Sequence, residues 1–154
     1  MRTVEELPAD AYIVLISGDR NWTNEDIIRN EIVVLPPYTV IIHGAARGVD
    51  MLTDKIARER GLAVIMVPAH WQCSTPKWIQ VYGPCTPECT EKTGRAAGVL
   101  RNDFMLRTYN PDYLIAFHPF IGTSRGTGDC VKRAKKQRIP GKLIGKGGET
   151  VERW

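Results

Sequence analysis

Three short stretches of the chain mix glycine with polar and charged side chains: "SGDRNW" at 17–22, "HGAARGVD" at 43–50 and "IGTSRGTGD" at 121–129. Glycine lets a ligand come close to the main chain, and a loop that opens a helix points unpaired N–H groups at an anion. The first stretch offers Ser17, Gly18, Asp19, Arg20, Asn21 and Trp22. The Arg20 guanidinium suits a phosphate or plain solvation, and the Trp22 ring suits stacking on a base or covering a helix start. In the second stretch His43 is placed to act as a general base or as a hydrogen-bonded strut, beside Gly44, Ala45 and Gly48. Asp50 falls in a first helical turn, where it either meets a ribose hydroxyl or complements the helix dipole. The third supplies Ser124, Arg125, Gly126 and Thr127. No G-x-G-x-x-G follows the first strand and no G-x-x-x-x-G-K-[ST] occurs, which weakens the usual NAD and P-loop readings.

A second group of reactive side chains lies in an irregular segment, 70–94, rich in proline and poor in periodicity. His70, Cys73, Cys85 and Cys89 have the donor types for a tetrahedral zinc, which would order such a segment. Four ordinary reduced thiols and imidazoles fit the pattern too, because the stronger double C-x-x-C spacing is absent. Trp71, Trp78 and Tyr82 suit a lid over a ligand, a partner surface or a small private core.

The elements that must position these residues alternate between strand and helix. "AYIVLIS" is a continuous apolar run of the kind buried on both faces of a parallel sheet. "TNEDIIRNEIVVL" follows as a helix, with Thr23 and Asp26 in capping-box-like spacing. "YTVII", "VDMLTDKIARER" and "LAVIMV" then read as strand, helix and strand, with Gly61 ending the helix. After the irregular segment come the helix "RAAGVLRNDFMLRTY", the strand "DYLIAF", the helix "GTGDCVKRAKKQR" and a short fifth strand, "KLI". This order predicts a single α/β domain over 1–154: a three-layer sandwich with a mostly parallel sheet of about five strands. Residues 145–154 read as a flexible tail. In such a sheet all three glycine stretches fall at the carboxyl edge, where open α/β folds bind ligands.

The bulk properties bound the partners. The net charge is +4, and much of the excess sits in "KRAKKQR" at 132–138. That run suits nucleic acid or a solvated helix face whose cations complement a helix C-terminus. The amino-terminal residues lack the features of a signal peptide, and no run of about 18 apolar residues is present. The expectation is a cytoplasmic protein without a membrane partner.

Taken together, "VLISGDRNWTN", "VIIHGAARGVDMLTDKIARERG", "VPAHW", "GRAAGVLRNDFML", "PDYLIAFH" and "SRGTGDCVKRAKKQRIP" resemble the SLOG superfamily, most closely its YspA-like branch. The resemblance spans nearly all of 13–140. It implies a Rossmann-like domain that binds a nucleotide or nucleotide-derived ligand, AMP- or ADP-ribose-like, at the glycine edge, as sensor or nucleotide-processing enzyme. "HGAARGVD" is similar to the small-residue turn of DprA, which handles single-stranded DNA. "GVLRNDFML" and "RGTGD" are similar to segments of the LOG phosphoribohydrolases, which split a nucleoside monophosphate between base and ribose phosphate. Through that likeness Arg101, with Asn102 beside it, matches the arginine segment, and Gly126 and Thr127 match the phosphate-binding turn. Arg101 and Asp50 thus become the catalytic candidates, with Asp50 or Asn21 on ribose. Cys130 stands where LOG enzymes carry a glutamate, so glycosidic cleavage would need another carboxylate, Asp129 or Asp50. Relatives in the superfamily often pair through helices, which adds a homo-oligomer to the expected partners.

Overall fold

The computed structural model describes residues 7–69 and 95–154. The segment 70–94, with His70, Cys73, Cys85, Cys89, Trp71, Trp78 and Tyr82, lies outside the described residues.

The chain runs β1 (Tyr12–Gly18), α1 (Glu25–Ile32), β2 (Thr39–His43), α2 (Val49–Glu59), β3 (Ala63–Met66), α3 (Arg95–Tyr109), β4 (Tyr113–Phe117), α4 (Gly126–Lys136), β5 (Gly141–Ile144) and β6 (Thr150–Arg153). A single 3₁₀ turn, Ile121–Thr123, precedes α4. The six strands form one sheet in the order β3-β2-β1-β4-β5-β6. The first five are parallel, and β6 runs antiparallel beside β5.

Strand alternation explains the three layers. Val14, Leu15 and Ile16 in β1 are all fully buried, because successive side chains meet different helices. Val14 and Ile16 join Ile28 and Ile32 of α1 and Ile56 and Ala57 of α2. Leu15 joins Met105 and Leu106 of α3 and Val131 and Ala134 of α4 on the other face. Both faces covered is what a run of consecutive apolar residues requires. Helix α1 begins one residue later than the Thr23 spacing suggests: the Asn24 side chain accepts from the amides of Asp26 (3.1 Å) and Ile27 (3.3 Å). Asn is as good an N-cap as Thr, so either residue satisfies the pattern and the chain geometry selects between them. Gly61, at φ +75°, ends α2 in the left-handed region where glycine carries no steric cost.

The carboxyl-terminal residues correct the expectation of a free tail. The amide of Gly145 donates to the Glu149 carbonyl (2.9 Å), closing a hairpin, and Gly141 and Trp154 exchange both backbone hydrogen bonds (3.2 and 3.1 Å). Trp154 Nε1 donates to the Ile139 carbonyl at 2.9 Å, its ring packs against the α3/α4 core, and Lys135 Nζ sits 5.1 Å from the ring centre. All four β6 residues are exposed, so the strand carries no apolar alternation to reveal it. Its charged side chains suit an edge, and the sixth strand is held by the hairpin and one aromatic anchor.

The order of strands reverses at β1. The chain moves outward from β1 through β2 to β3, then returns to place β4 on the other side of β1. The loops after β1 and β4 therefore lead to helices on opposite faces and leave a crevice between them. Truncating Trp154 to Ala is expected to cost about 2 kcal/mol, roughly half the value for a fully buried tryptophan. A urea unfolding curve measures it; an unchanged midpoint would show that β6 does not brace the sheet.

Candidate functional site

A cleft of about 610 Å³ opens over the carboxyl ends of β1 and β4. Its walls come from four places: Ser17 to Asn21 after β1, Ala46 and Asp50 after β2, Gly98, Arg101 and Asn102 on α3, and His118 to Phe120 with Thr123 to Thr127 after β4. It adjoins a second cavity of about 860 Å³ along α4, with Arg20, Ser124, Arg125 and Gly126 lining both.

The glycines divide into two kinds. A Cβ on Gly18 would sit 2.4 Å from the Val49 side chain, and one on Gly44 would sit 2.1 Å from the Arg101 guanidinium. Gly48 combines φ +78° with a Cβ position 2.3 Å from the Asp19 carbonyl. These three permit the β1 and β2 loops and α3 to pack on one another. Gly126, at the start of α4, has nothing within 4 Å of its Cβ position and faces the cleft.

Asp50 and Arg101 form the floor. Asp50 is 4% exposed. Its Oδ2 accepts from the amides of Gly44 (3.1 Å) and Ala46 (3.2 Å). Its Oδ1 is buried without a hydrogen-bond partner. Burial pushes the carboxyl above its ordinary range, and the nearby Arg101 and His43 and the two amides only partly offset that. Arg101 is equally enclosed: Nη1 donates to the Gly44 carbonyl and to the Val67 carbonyl (3.2 Å), and Nε donates to Asn102 Oδ1 (2.9 Å). Asn102 in turn donates from Nδ2 to the Gly126 carbonyl (3.1 Å) and Asp129 Oδ2 (3.2 Å). One pair of adjacent side chains on α3 thus ties the ends of β2, β3 and α4 together.

The start of α4 is capped from within. Ser124 Oγ accepts from the amides of Thr127 (3.0 Å) and Gly128 (3.2 Å), which leaves its own hydroxyl proton to donate elsewhere. An anion above Gly126 and Thr127 therefore meets the Ser124 hydroxyl and the positive end of the helix in place of a row of free amides.

Of the residues selected from sequence, Ser17 to Asn21, Asp50, Arg101, Asn102 and Ser124 to Thr127 share the cleft. Gly44, Ala45 and Gly48 lie behind it and shape the loop. Two side chains are placed elsewhere. Trp22 is 7% exposed, donates from Nε1 to the Asn24 carbonyl (2.9 Å) and packs edge-on against Phe117 at 5.8 Å. Its faces belong to the core, so it covers the helix start and offers no surface to a base. His43 is fully buried, with Nε2 2.8 Å from Asp54 Oδ1 and Nδ1 accepting the Ala45 amide at 3.0 Å. Both ring nitrogens are occupied, so it is a strut and has no free position for a general base.

His118, Pro119, Phe120 and Thr123 also line the cleft and were not singled out from the sequence. His118 Nδ1 accepts the Phe120 amide at 2.9 Å, which places the proton of the neutral ring on Nε2. For the first three only their position directly after the fourth strand, "AFHPF", hints at this edge, and Thr123 falls within the 121–129 stretch.

Cys130, which the resemblance sets at the LOG glutamate, is fully buried, and burial pushes its thiol up to about 12. Arg101 and a hydrogen bond with Ser17 oppose that shift without cancelling it. Asp129 is engaged by Arg133 Nε at 3.0 and 2.9 Å through its two oxygens.

The family described as "YspA, cpYpsA-related SLOG family" matches residues 12–73. The Gene 61 protein of Mycobacterium phage D29 is 33% identical over 136 residues, 82% of this chain and 91% of that protein. The X-ray structure of DNA processing protein A (DprA) from Streptococcus pneumoniae superposes with a TM-score of 0.65 at 18% identity, over 87% of this chain. That match spans half of the DprA chain and is a likeness of fold.

Two outcomes test the geometry. Gly48→Ala should lose more than about 2 kcal/mol, since a side chain there meets both backbone strain and a carbonyl. Gly126→Ala should leave unfolding unchanged; equal losses would refute the division of the glycines. The Cys130 thiol stays neutral in the fold where the unfolded chain ionises near 9.0. Its stabilising effect is therefore complete below pH 9 and declines as pH rises from there towards 12. Between pH 8 and 10.5 the native protein should lose about 2 kcal/mol more than Cys130→Ala does, measured by urea titration; parallel losses would count against a buried neutral thiol.

Proposed function

The chain belongs to the YspA, cpYpsA-related SLOG family, and from that premise we propose that it binds a nucleotide or nucleotide-derived ligand, AMP- or ADP-ribose-like, in the cleft between the β1 and β4 loops. The observation that carries the reading is at Asp50, which lines the cleft and whose Oδ1 is buried without a hydrogen-bond partner. A buried acceptor left unmade costs about 1–3 kcal/mol, and a ligand hydroxyl such as that of ribose would satisfy it. Asn21 is the neighbouring candidate for the same sugar. The Ser124 hydroxyl, Gly126 and the amino end of α4 would receive phosphate, with Arg20 and Arg125 adding charge from the rim. Arg101 would hold the floor in shape beneath the ligand and counter its charge. The continuation into the second cavity, where Lys132 adds a cation without an ion-pair partner among the described residues, leaves room for a ligand larger than a mononucleotide.

Phosphoribohydrolase chemistry is less well supported. It needs a carboxylate near the anomeric carbon; Cys130 is a buried thiol and Asp129 is taken up by Arg133. Asp50 is the carboxylate with an unpartnered oxygen, so any cleavage would depend on it. A DprA-like DNA-binding reading rests on the basic run of α4. There Arg133 pairs with Asp129 and Asp103, and Lys135 pairs with Glu152, which reduces the charge available to phosphates. Such binding would weaken steeply with salt.

AMP or ADP-ribose at a hundredfold excess over its Kd should stabilise the native chain by about 2.7 kcal/mol, read as a rise in Tm. Asp50→Asn should remove most of that rise without lowering the Tm of the free protein. The sign follows from burial: the fold disfavours the ionised carboxyl, and that penalty grows as pH rises above the unfolded-state value. A neutral side chain escapes it. No Tm change with either nucleotide would overturn the reading.

A further inference from the structure

Among the described residues most exposed apolar side chains lie away from the cleft. Val33, Val34 and Tyr38 cluster where α1 returns to β2, and Val151 lies on the edge strand β6. Phe120 is the exception. It is 72% exposed and it lines the cleft. No ring pairs with it among the described residues.

Its backbone is held firmly. The Phe120 amide donates to His118 Nδ1 at 2.9 Å. Its carbonyl accepts from both the Thr123 amide (3.0 Å) and the Thr123 hydroxyl (2.8 Å). The residue therefore opens a short 3₁₀ turn whose other end leads into the Ser124 cap of α4. A large ring kept in water on a braced turn loses little conformational freedom when something covers it. An aromatic face at a ligand's edge is suited to a planar partner.

We infer that Phe120 is the stacking platform for the heteroaromatic base of the ligand, and so the residue that makes this cleft prefer a nucleotide over a bare sugar phosphate. The inference rests on the nucleotide reading above. It adds a division of labour to that reading. The buried Asp50 oxygen takes the hydroxyl, the Ser124–Gly126 turn takes the anion, and the exposed ring, set one turn before Ser124, takes the base. The rigid spacing between Phe120 and Ser124 sets how far base and phosphate lie apart, whereas the floor residues are indifferent to the base. Stacking tolerates any base with a π-face, so the preference is for a nucleotide as a class, and Phe120 does not choose among bases by hydrogen bonding.

The test is calorimetric titration of the full chain with AMP and with ribose 5-phosphate, in the native protein, Phe120→Ala and Phe120→Trp. A stacked base on an aromatic face should favour AMP over ribose 5-phosphate by about tenfold or more in the native protein. Phe120→Ala should bring the two affinities together by weakening AMP alone, and Phe120→Trp should keep them apart. The side chain is exposed, so both variants should melt with the native protein. If the native protein binds the two compounds equally, or Phe120→Ala preserves the preference, stacking at Phe120 is wrong and the sugar-phosphate site stands. If neither compound binds, the nucleotide reading itself fails and the stacking platform with it.

Discussion

The guanidinium of Arg101 is the contact on which the rest of the site depends. It reaches from α3 to the carbonyls of Gly44 and Val67, the residues that follow β2 and β3. These carbonyls leave strands at the sheet edge with no strand partner beyond, and a buried carbonyl left without a donor is costly. Arg101 supplies the donors, and its charge sits beside Asp50. A side chain at position 44 would occupy the space of the guanidinium, so the strap requires glycine there. Gly48 is required for a related reason, since the turn brings it against the Asp19 carbonyl.

Asp50 is the complement of that strap. Two backbone amides hold one oxygen, and the other is buried without a hydrogen-bond partner. A charge so enclosed is expensive unless fully paired, and here it is paired only in part. Proteins that carry such local cost usually do so where something binds. The neighbouring His43–Asp54 pair shows the contrasting case. His43 has both nitrogens bonded, and although burial alone would raise the Asp54 carboxyl, hydrogen bonds from Arg58 and His43 hold it below its ordinary range. One cluster is closed and structural; the other has an open valence.

The same division separates residues that look alike in one dimension. Trp22 and Phe120 are both aromatic and both follow a strand end, yet one is 7% exposed and the other 72%. Trp22 lies over Phe117 because α1 folds back across β1. Phe120 faces outward because His118 and Thr123 hold its backbone in a turn that leads away from the sheet. Likewise Ser124 stands two residues before the start of α4 and occupies the amides of Thr127 and Gly128, the first of which the Gly126–Thr127 motif was expected to offer.

By itself the sequence determined the architecture, the family likeness and the edge at which polar loops gather. Hydrophobic periodicity, glycine stops and the alternation of elements are local signals, and a parallel sheet leaves few ways to connect them. It also selected twelve of the residues that meet in the cleft, because helix-opening loops announce themselves by composition. What only the tertiary structure decided was the role of each. Whether a glycine admits a ligand or a guanidinium, whether an imidazole is open or occupied, and whether an aromatic ring is core or platform all depend on neighbours distant in sequence. The sixth strand escaped for the same reason: with four exposed residues it has no apolar period, and Trp154 becomes an anchor only where Ile139 and Lys135 meet it.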